Sequence, residues 1–307
     1  GALGTAKYGL GGAGTQTAAL AFAGMVDTGS PGNLSTTSEE YGGTSWTAGG
    51  SMGTARYSLA GAGTQTAALA FGGSDVGSVL AGTEEYGGTS WTGGGTMATA
   101  RKSLTGFGIQ TSGLACGGDS EVVTEEYNGS SWTGGGNLST PSRGYMAGCG
   151  TSTAGLVFGG GTNKTEVEEY DGTSWSVTTS LATGRGALGG SGISSAALAF
   201  GGNTGSVTAA TEEFTTAAAT KTFTGLVSVN AWASGGNLNT GRHNLSGCGI
   251  QTAALAFGGY ITGVVDNSEE YNGSSWAEGN NLNTARQKLA GIGTQTAGLG
   301  CGGYVPG

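Results

Sequence analysis

One segment recurs along the whole chain, and that recurrence limits the fold more than any other feature. Gly53-Thr54-Ala55-Arg56-Tyr57-Ser58-Leu59-Ala60-Gly61-Ala62-Gly63-Thr64-Gln65-Thr66-Ala67-Ala68-Leu69-Ala70-Phe71-Gly72-Gly73 returns with small changes. Its basic residue anchors seven copies, at Lys7, Arg56, Arg101, Arg143, Arg185, Arg242 and Arg286, spaced 42 to 57 residues apart. A second module of two glutamates, an aromatic, a short turn and a tryptophan follows six of them. Its instances are Glu39-Glu40-Tyr41 to Trp46, Glu84-Glu85-Tyr86 to Trp91, Glu125-Glu126-Tyr127 to Trp132, Glu168-Glu169-Tyr170 to Trp175, Glu212-Glu213-Phe214 to Trp232 and Glu269-Glu270-Tyr271 to Trp276. Such a period marks a solenoid, a propeller or an array. Residues 1–307 read as one repeat domain, with an insertion at 215–231 in the fifth unit. Both ends match the interior of the repeat, so the sequence is expected to belong to a longer repetitive polypeptide.

Each unit reads as four antiparallel strands, A to D. Leu69 and Phe71 alternate with Ala68 and Ala70, the period of two that a strand requires. Residues 57–63 read as the partner strand, with the turn near Thr64-Gln65. In the second module Asn128-Gly129 is the dipeptide favoured by a two-residue hairpin turn. No segment carries a helical period. The expected fold is all-β, a β-propeller of four-stranded antiparallel blades. Two ring sizes fit the count: seven positions with one incomplete blade, or six blades plus an extra hairpin. Closure is expected to be imperfect, or completed by chain outside this segment.

The double glycine of Gly72-Gly73, followed by Tyr86 and then Trp91, resembles the kelch repeat, the β-propeller unit of the galactose-oxidase central domain. Four residues separate Tyr from Trp in five of six copies here, against six in the family pattern. The Gly/Ala/Thr-rich, near-identical units also resemble kelch-type repeat proteins of marine bacteriophages. The resemblance implies a propeller fold and, through its phage branch, a structural or fibre role.

Composition narrows the chemistry. Glycine supplies 68 of 307 residues while proline supplies 3, without a Gly-X-Y period, so collagen is excluded. A net charge of -9 argues against nucleic acid as a partner. No apolar run is long enough for a membrane helix, and membrane insertion is not expected. One histidine, His243, and four scattered cysteines offer no metal cluster, so neither metal nor cofactor is expected. Cys149 and Cys248 stand where Ala62 does, and Cys116 and Cys301 where Phe71 does. They read as free thiols acting as small hydrophobes.

The glutamate pairs suggest glycoside hydrolysis, but a pair repeated six times at one position reads as structural. The expected partners are Arg56, Arg101, Arg143, Arg185, Arg242 and Arg286, each within reach of a glutamate pair at the same end of a blade. Gly61-Ala62-Gly63 lacks the third glycine of a dinucleotide fingerprint. The turns and D–A connectors are nearly uniform, whereas the B–C loops at 25–38, 74–83, 119–124, 161–167, 203–211 and 260–268 differ in length and chemistry. Candidate binding residues are therefore Asp27, Asn33, Asp75, Asp119, Glu121, Asn163, Lys164, Asn203, Tyr260 and Asp266. The function expected is a non-catalytic structural or adhesive module on a virion or another extracellular surface, recognising glycan, protein or fibre subunits. The alternatives are an intracellular protein-interaction propeller and a propeller enzyme of the carbohydrate-oxidase or glycosidase type.

Overall fold

The computed structural model describes residues 2–26, 32–119, 121–141, 143–216 and 231–306. Every regular element among them is a strand. Six units form four-stranded antiparallel sheets in the order A-B-C-D. Blade 1 is Gly11–Thr15, Ala18–Phe22, Ser38–Tyr41 and Trp46–Ala48. Blade 2 is Ala60–Gly63, Ala68–Phe71, Thr83–Tyr86 and Trp91–Gly93; blade 3 is Thr105–Ile109, Ser112–Cys116, Thr124–Tyr127 and Trp132–Gly134. Blade 4 is Ala147–Thr151, Ala154–Phe158, Val167–Tyr170 and Trp175–Val177; blade 5 is Gly189–Ile193, Ala196–Phe200, Thr211–Thr215 and Ala231–Ser234. Blade 6 is Ser246–Ile250, Ala253–Phe257, Ser268–Tyr271 and Trp276–Glu278. The seventh copy is a two-stranded hairpin, Ala290–Thr294 with Ala297–Cys301.

The A strands line the axis, each beside the next, and the A strand of the hairpin lies between those of blades 6 and 1. Six full blades and one hairpin thus make a β-propeller whose inner circle closes within the described residues. The ring has six complete four-stranded blades, and the seventh hairpin takes a place in the inner circle between blades 6 and 1 rather than lying apart from it.

Close approach of the A strands needs glycine. A Cβ on Gly61 would lie 2.7 Å from the Phe22 ring and 3.0 Å from the Gly12 carbonyl of the neighbouring blade. Two residues on, Gly63 has φ +100°, and a Cβ there would meet the Ala67 carbonyl at 2.2 Å. The B strands carry the core: Leu69, Phe71 and their counterparts in blades 1 to 5 are fully buried. The B-strand phenylalanines of blades 1, 2, 4 and 5 meet the next blade's tryptophan, as in Phe22–Trp91 at 4.9 Å and Phe71–Trp132 at 5.0 Å. Such ring pairs add about 0.5–1.5 kcal/mol beyond area burial.

Strand A begins later than the sequence pattern predicts. Residues 57–59 are not strand: Tyr57 forms an isolated bridge with Ser74, and Ser58 turns left-handed at φ 52°. The alternation of Leu59 with Gly61 and Gly63 runs unbroken through this kink, so hydrophobic pattern alone could not place it.

Candidate binding face

Two kinds of polar contact fix each blade and its neighbours. The glutamate pairs divide between them, because successive strand residues point to opposite faces. The first glutamate stays in its own blade and meets the anchor cation. Arg56 lies 2.7 Å from Glu84, Arg101 3.3 Å from Glu125, Arg143 2.7 Å from Glu168 and Arg185 2.9 Å from Glu212; Arg242 pairs with Glu269. Lys7 holds Glu39 more loosely at 3.7 Å. The same carboxylate accepts connector amides, such as Gly53 N–H at 2.6 Å and Thr54 N–H at 3.2 Å on Glu84. Burial pushes the Arg56, Arg101, Arg143 and Arg185 guanidinium groups below their ordinary pKa, opposed by the paired glutamate.

Two parts of the expected pairing need correction. The second glutamates do not meet the arginines. Glu40, Glu85, Glu126 and Glu213 instead accept from Tyr86, Tyr127, Tyr170 and Tyr271 of the following blade. Neither Glu169 nor Glu270 has a tyrosine opposite, because the next unit carries Phe214 or no C strand. Arg286 has no carboxylate partner among the described residues and donates to the carbonyls of Thr284 and Gly302.

The arginines also root the B–C loops. Arg56 donates to the Gly72 carbonyl at 3.2 Å and the Gly82 carbonyl at 2.6 Å, the two ends of its blade's loop. The loops and the D–A connectors share one face, joined by bonds such as Met52 N–H to Thr36 O and Met97 N–H to Ala81 O, 2.8 and 3.0 Å.

At the centre of this face the backbone makes a closed hoop. Two residues after each anchor stand Gly9, Ser58, Ser103, Tyr145, Ala187, Asn244 and Lys288, all left-handed with φ between 50° and 62°. The N–H of each donates to the carbonyl of the one before. The distances are 2.8, 3.0, 3.2, 3.1, 3.0 and 3.0 Å from Ser58 round to Lys288, and Gly9 N–H closes the circle on Lys288 O at 3.3 Å. Beneath the hoop lies a collar of Leu10, Leu59, Leu104, Met146, Leu188, Leu245 and Leu289 around a cavity of about 310 Å³.

Beside the mouth a second hollow, about 360 Å³, is lined by Tyr145, Asn163, Asn203, His243, Asn244 and Lys288 among others. Tyr145 is 57% exposed. His243 lies edge-on to Tyr260, ring centroids 5.4 Å apart, and its buried Nδ1 has no close hydrogen-bond partner among the described residues. Burial, with Lys288 nearby, holds the imidazole below its usual pKa and hence neutral at pH 7.

Of the loop residues singled out from sequence, Asn163 and Asn203 line this hollow, and Tyr260 braces His243. Asp75 turns inward on its own loop, accepting from Gly77 and Ser78 N–H at 2.8 and 2.6 Å, and Asn203 Oδ1 does the same for Gly205 at 2.7 Å. Asp119 pairs with Lys102 at 3.7 Å. Asn33 is exposed, while Glu121, Lys164 and Asp266 are half-buried; none of these lines the hollow. Asp27 lies outside the described residues, as does 217–230 of the insertion.

Sequence reasoning passed over Tyr145, Asn244 and Lys288, and took His243 for a lone solvent or packing residue. Their signal was present: the two residues after each anchor vary from Tyr57-Ser58 to Gly144-Tyr145 to Gln287-Lys288, while an apolar residue always follows. The cysteines are free and buried. Burial pushes the thiols of Cys116, Cys149 and Cys301 up to about 12 and that of Cys248 up to about 11.

Comparison with known proteins bears on the architecture. The chain is similar in fold to YjhT. A solved chain titled "Structure of YjhT" matches with a TM-score of 0.67 over 91% of this chain and 99% of that one. Their identity is 13%, so the likeness speaks to the propeller and not to its ligand. No protein-family model matches the sequence, and no curated protein matches it.

Proposed function

We propose that the chain is a non-catalytic attachment module that binds a glycan or protein surface through the face holding the B–C loops and the channel mouth. One observation carries the reading: on a scaffold of near-identical units, side-chain variety gathers around the hoop and in the loops rooted by the arginines. Uniform backbone with varied presentation is the design of a recognition surface. The hollow's chemistry favours a glycan. Tyr145 offers an aromatic face, while Asn163, Asn203 and Asn244 offer paired donors and acceptors suited to hydroxyls. The Gly/Ala/Thr-rich kelch-like repeats support placing such a module on a virion or another extracellular surface.

The test is a glycan-array and cell-surface binding screen of the wild-type chain beside Tyr145→Ala and Asn163→Ala. Loss of about tenfold or more in apparent affinity, with an unchanged circular dichroism spectrum, is expected. Replacing 74–83 by the shorter 119–124 loop reports whether the contact extends outward. Binding that survives these changes but is lost on altering Ile193 or Ile250, which are exposed at the A–B turns, would put the working surface at the opposite end.

A further inference from the structure

The seventh position presents a half-built set of contacts. Its B strand, Ala297–Cys301, is only half-buried from Ala297 to Gly300, where the B strands of blades 1 to 5 are buried from their second residue on. Beside its last residues a cavity of about 210 Å³ is lined by Leu3, Trp46, Thr284, Arg286, Gly300 and Cys301. An unpaired strand edge is a template for another strand.

The flanking side chains specify which strand. In blades 2 and 3 a C strand reading Thr-Glu-Glu-Tyr meets four partners. Its first residue accepts from the next blade's tryptophan, as Thr83 does from Trp132 Nε1 at 2.8 Å. Its first glutamate takes the anchor cation, its second accepts from the next blade's tyrosine, and its own tyrosine donates to the preceding blade. At position 7 the counterparts are Trp46, Arg286, Tyr41 and Glu270. Trp46, Arg286 and Tyr41 are half-buried and Glu270 is exposed. Burial already lowers the Arg286 pKa, with no carboxylate to oppose it among the described residues.

We infer that this edge is a docking site for a β-hairpin carrying Ser/Thr-Glu-Glu-Tyr and a following tryptophan, added antiparallel to Ala297–Cys301. Blade 3 gives the register: Cys116↔Thr124, Ala115↔Glu125, Leu114↔Glu126 and Gly113↔Tyr127. The incoming Ser or Thr therefore faces Cys301, the first glutamate faces Gly300 and reaches Arg286, and the tyrosine faces Gly298. Main-chain bonds supply the affinity and the four side chains supply the selection.

The experiment titrates a fluorescently labelled peptide with the sequence of 267–278 onto the full chain. A second arm joins the same hairpin to the C-terminus through a B–C-length linker and follows thermal unfolding. Saturable binding is expected, weakened about tenfold or more by Arg286→Ala in the chain or Glu269→Gln in the peptide. The tethered hairpin is expected to raise the melting temperature. Equal binding of parent and variant peptides overturns the inference. So does absence of binding together with an unchanged melting temperature.

Discussion

Between blades 2 and 3, three polar side chains cross the seam. Tyr127 donates to Glu85, Trp132 to Thr83, and Gln110 to the carbonyls of Ala68 and Tyr86 at 3.1 and 2.7 Å. Between blades 4 and 5 the same positions carry Phe214, Val167 opposite Trp232, and Ser194. Phe214 has no hydroxyl, the Val167 side chain no oxygen, and the buried Trp232 Nε1 has no hydrogen-bond partner among the described residues. That seam rests on Phe158, Val167, Leu188, Phe214 and Trp232 in apolar contact. One repeat therefore builds two kinds of joint, and the polar bridges are not required for the blades to stack. Apolar fit positions them, while the bridges add strength and register.

The largest effect should come from within a blade. Arg143→Ala strands Glu168 in a fully buried site and should cost about 3–5 kcal/mol in urea unfolding. Arg286→Ala, which leaves no carboxylate behind, should cost markedly less. Equal losses would show that the ion pair is not what holds a blade.

Next comes the latched seam. Thr83→Val removes the acceptor of Trp132 and should cost about 1–3 kcal/mol. The mirror change, Val167→Thr, offers Trp232 an oxygen and should gain about 1 kcal/mol. If neither changes the urea midpoint, the two seams are equivalent and the comparison fails.

A smaller effect is read from pH. Tyr86 and Tyr127 have their pKa pushed up to about 12, first by burial and then by the glutamate that accepts their hydrogen bond. A tyrosine raised in the folded state holds its proton where the unfolded chain releases it. Its contribution is therefore complete below about pH 10 and is lost as pH rises from about 10 to about 12. Tyr127→Phe should flatten that decline in an alkaline unfolding series. Phe214→Tyr should steepen it.

Much of this was legible in the sequence. The two modules fixed four strands per unit, and the Thr64-Gln65 and Asn-Gly positions placed the turns. The division of labour within each glutamate pair was half legible, since strand parity says that the two diverge but not where the second one goes. Its partner is a tyrosine about 45 residues on, and only ring geometry brings it near. The hoop was least legible. Left-handed conformations at Tyr145, Ala187 and Lys288 contradict local preference, which disfavours them by about 1–2 kcal/mol each. Neighbouring blades impose them, and no reading of one unit alone reveals that.

The hoop also bears on how such a chain changes over generations. Its donors and acceptors are all main-chain groups, so a substitution at Ser58 or Asn244 deletes none of the bonds that close the circle. Selection can therefore act on what the mouth displays almost independently of what keeps the ring shut. A lineage under pressure to track a changing target can redraw seven adjacent letters and leave the rest of the text alone.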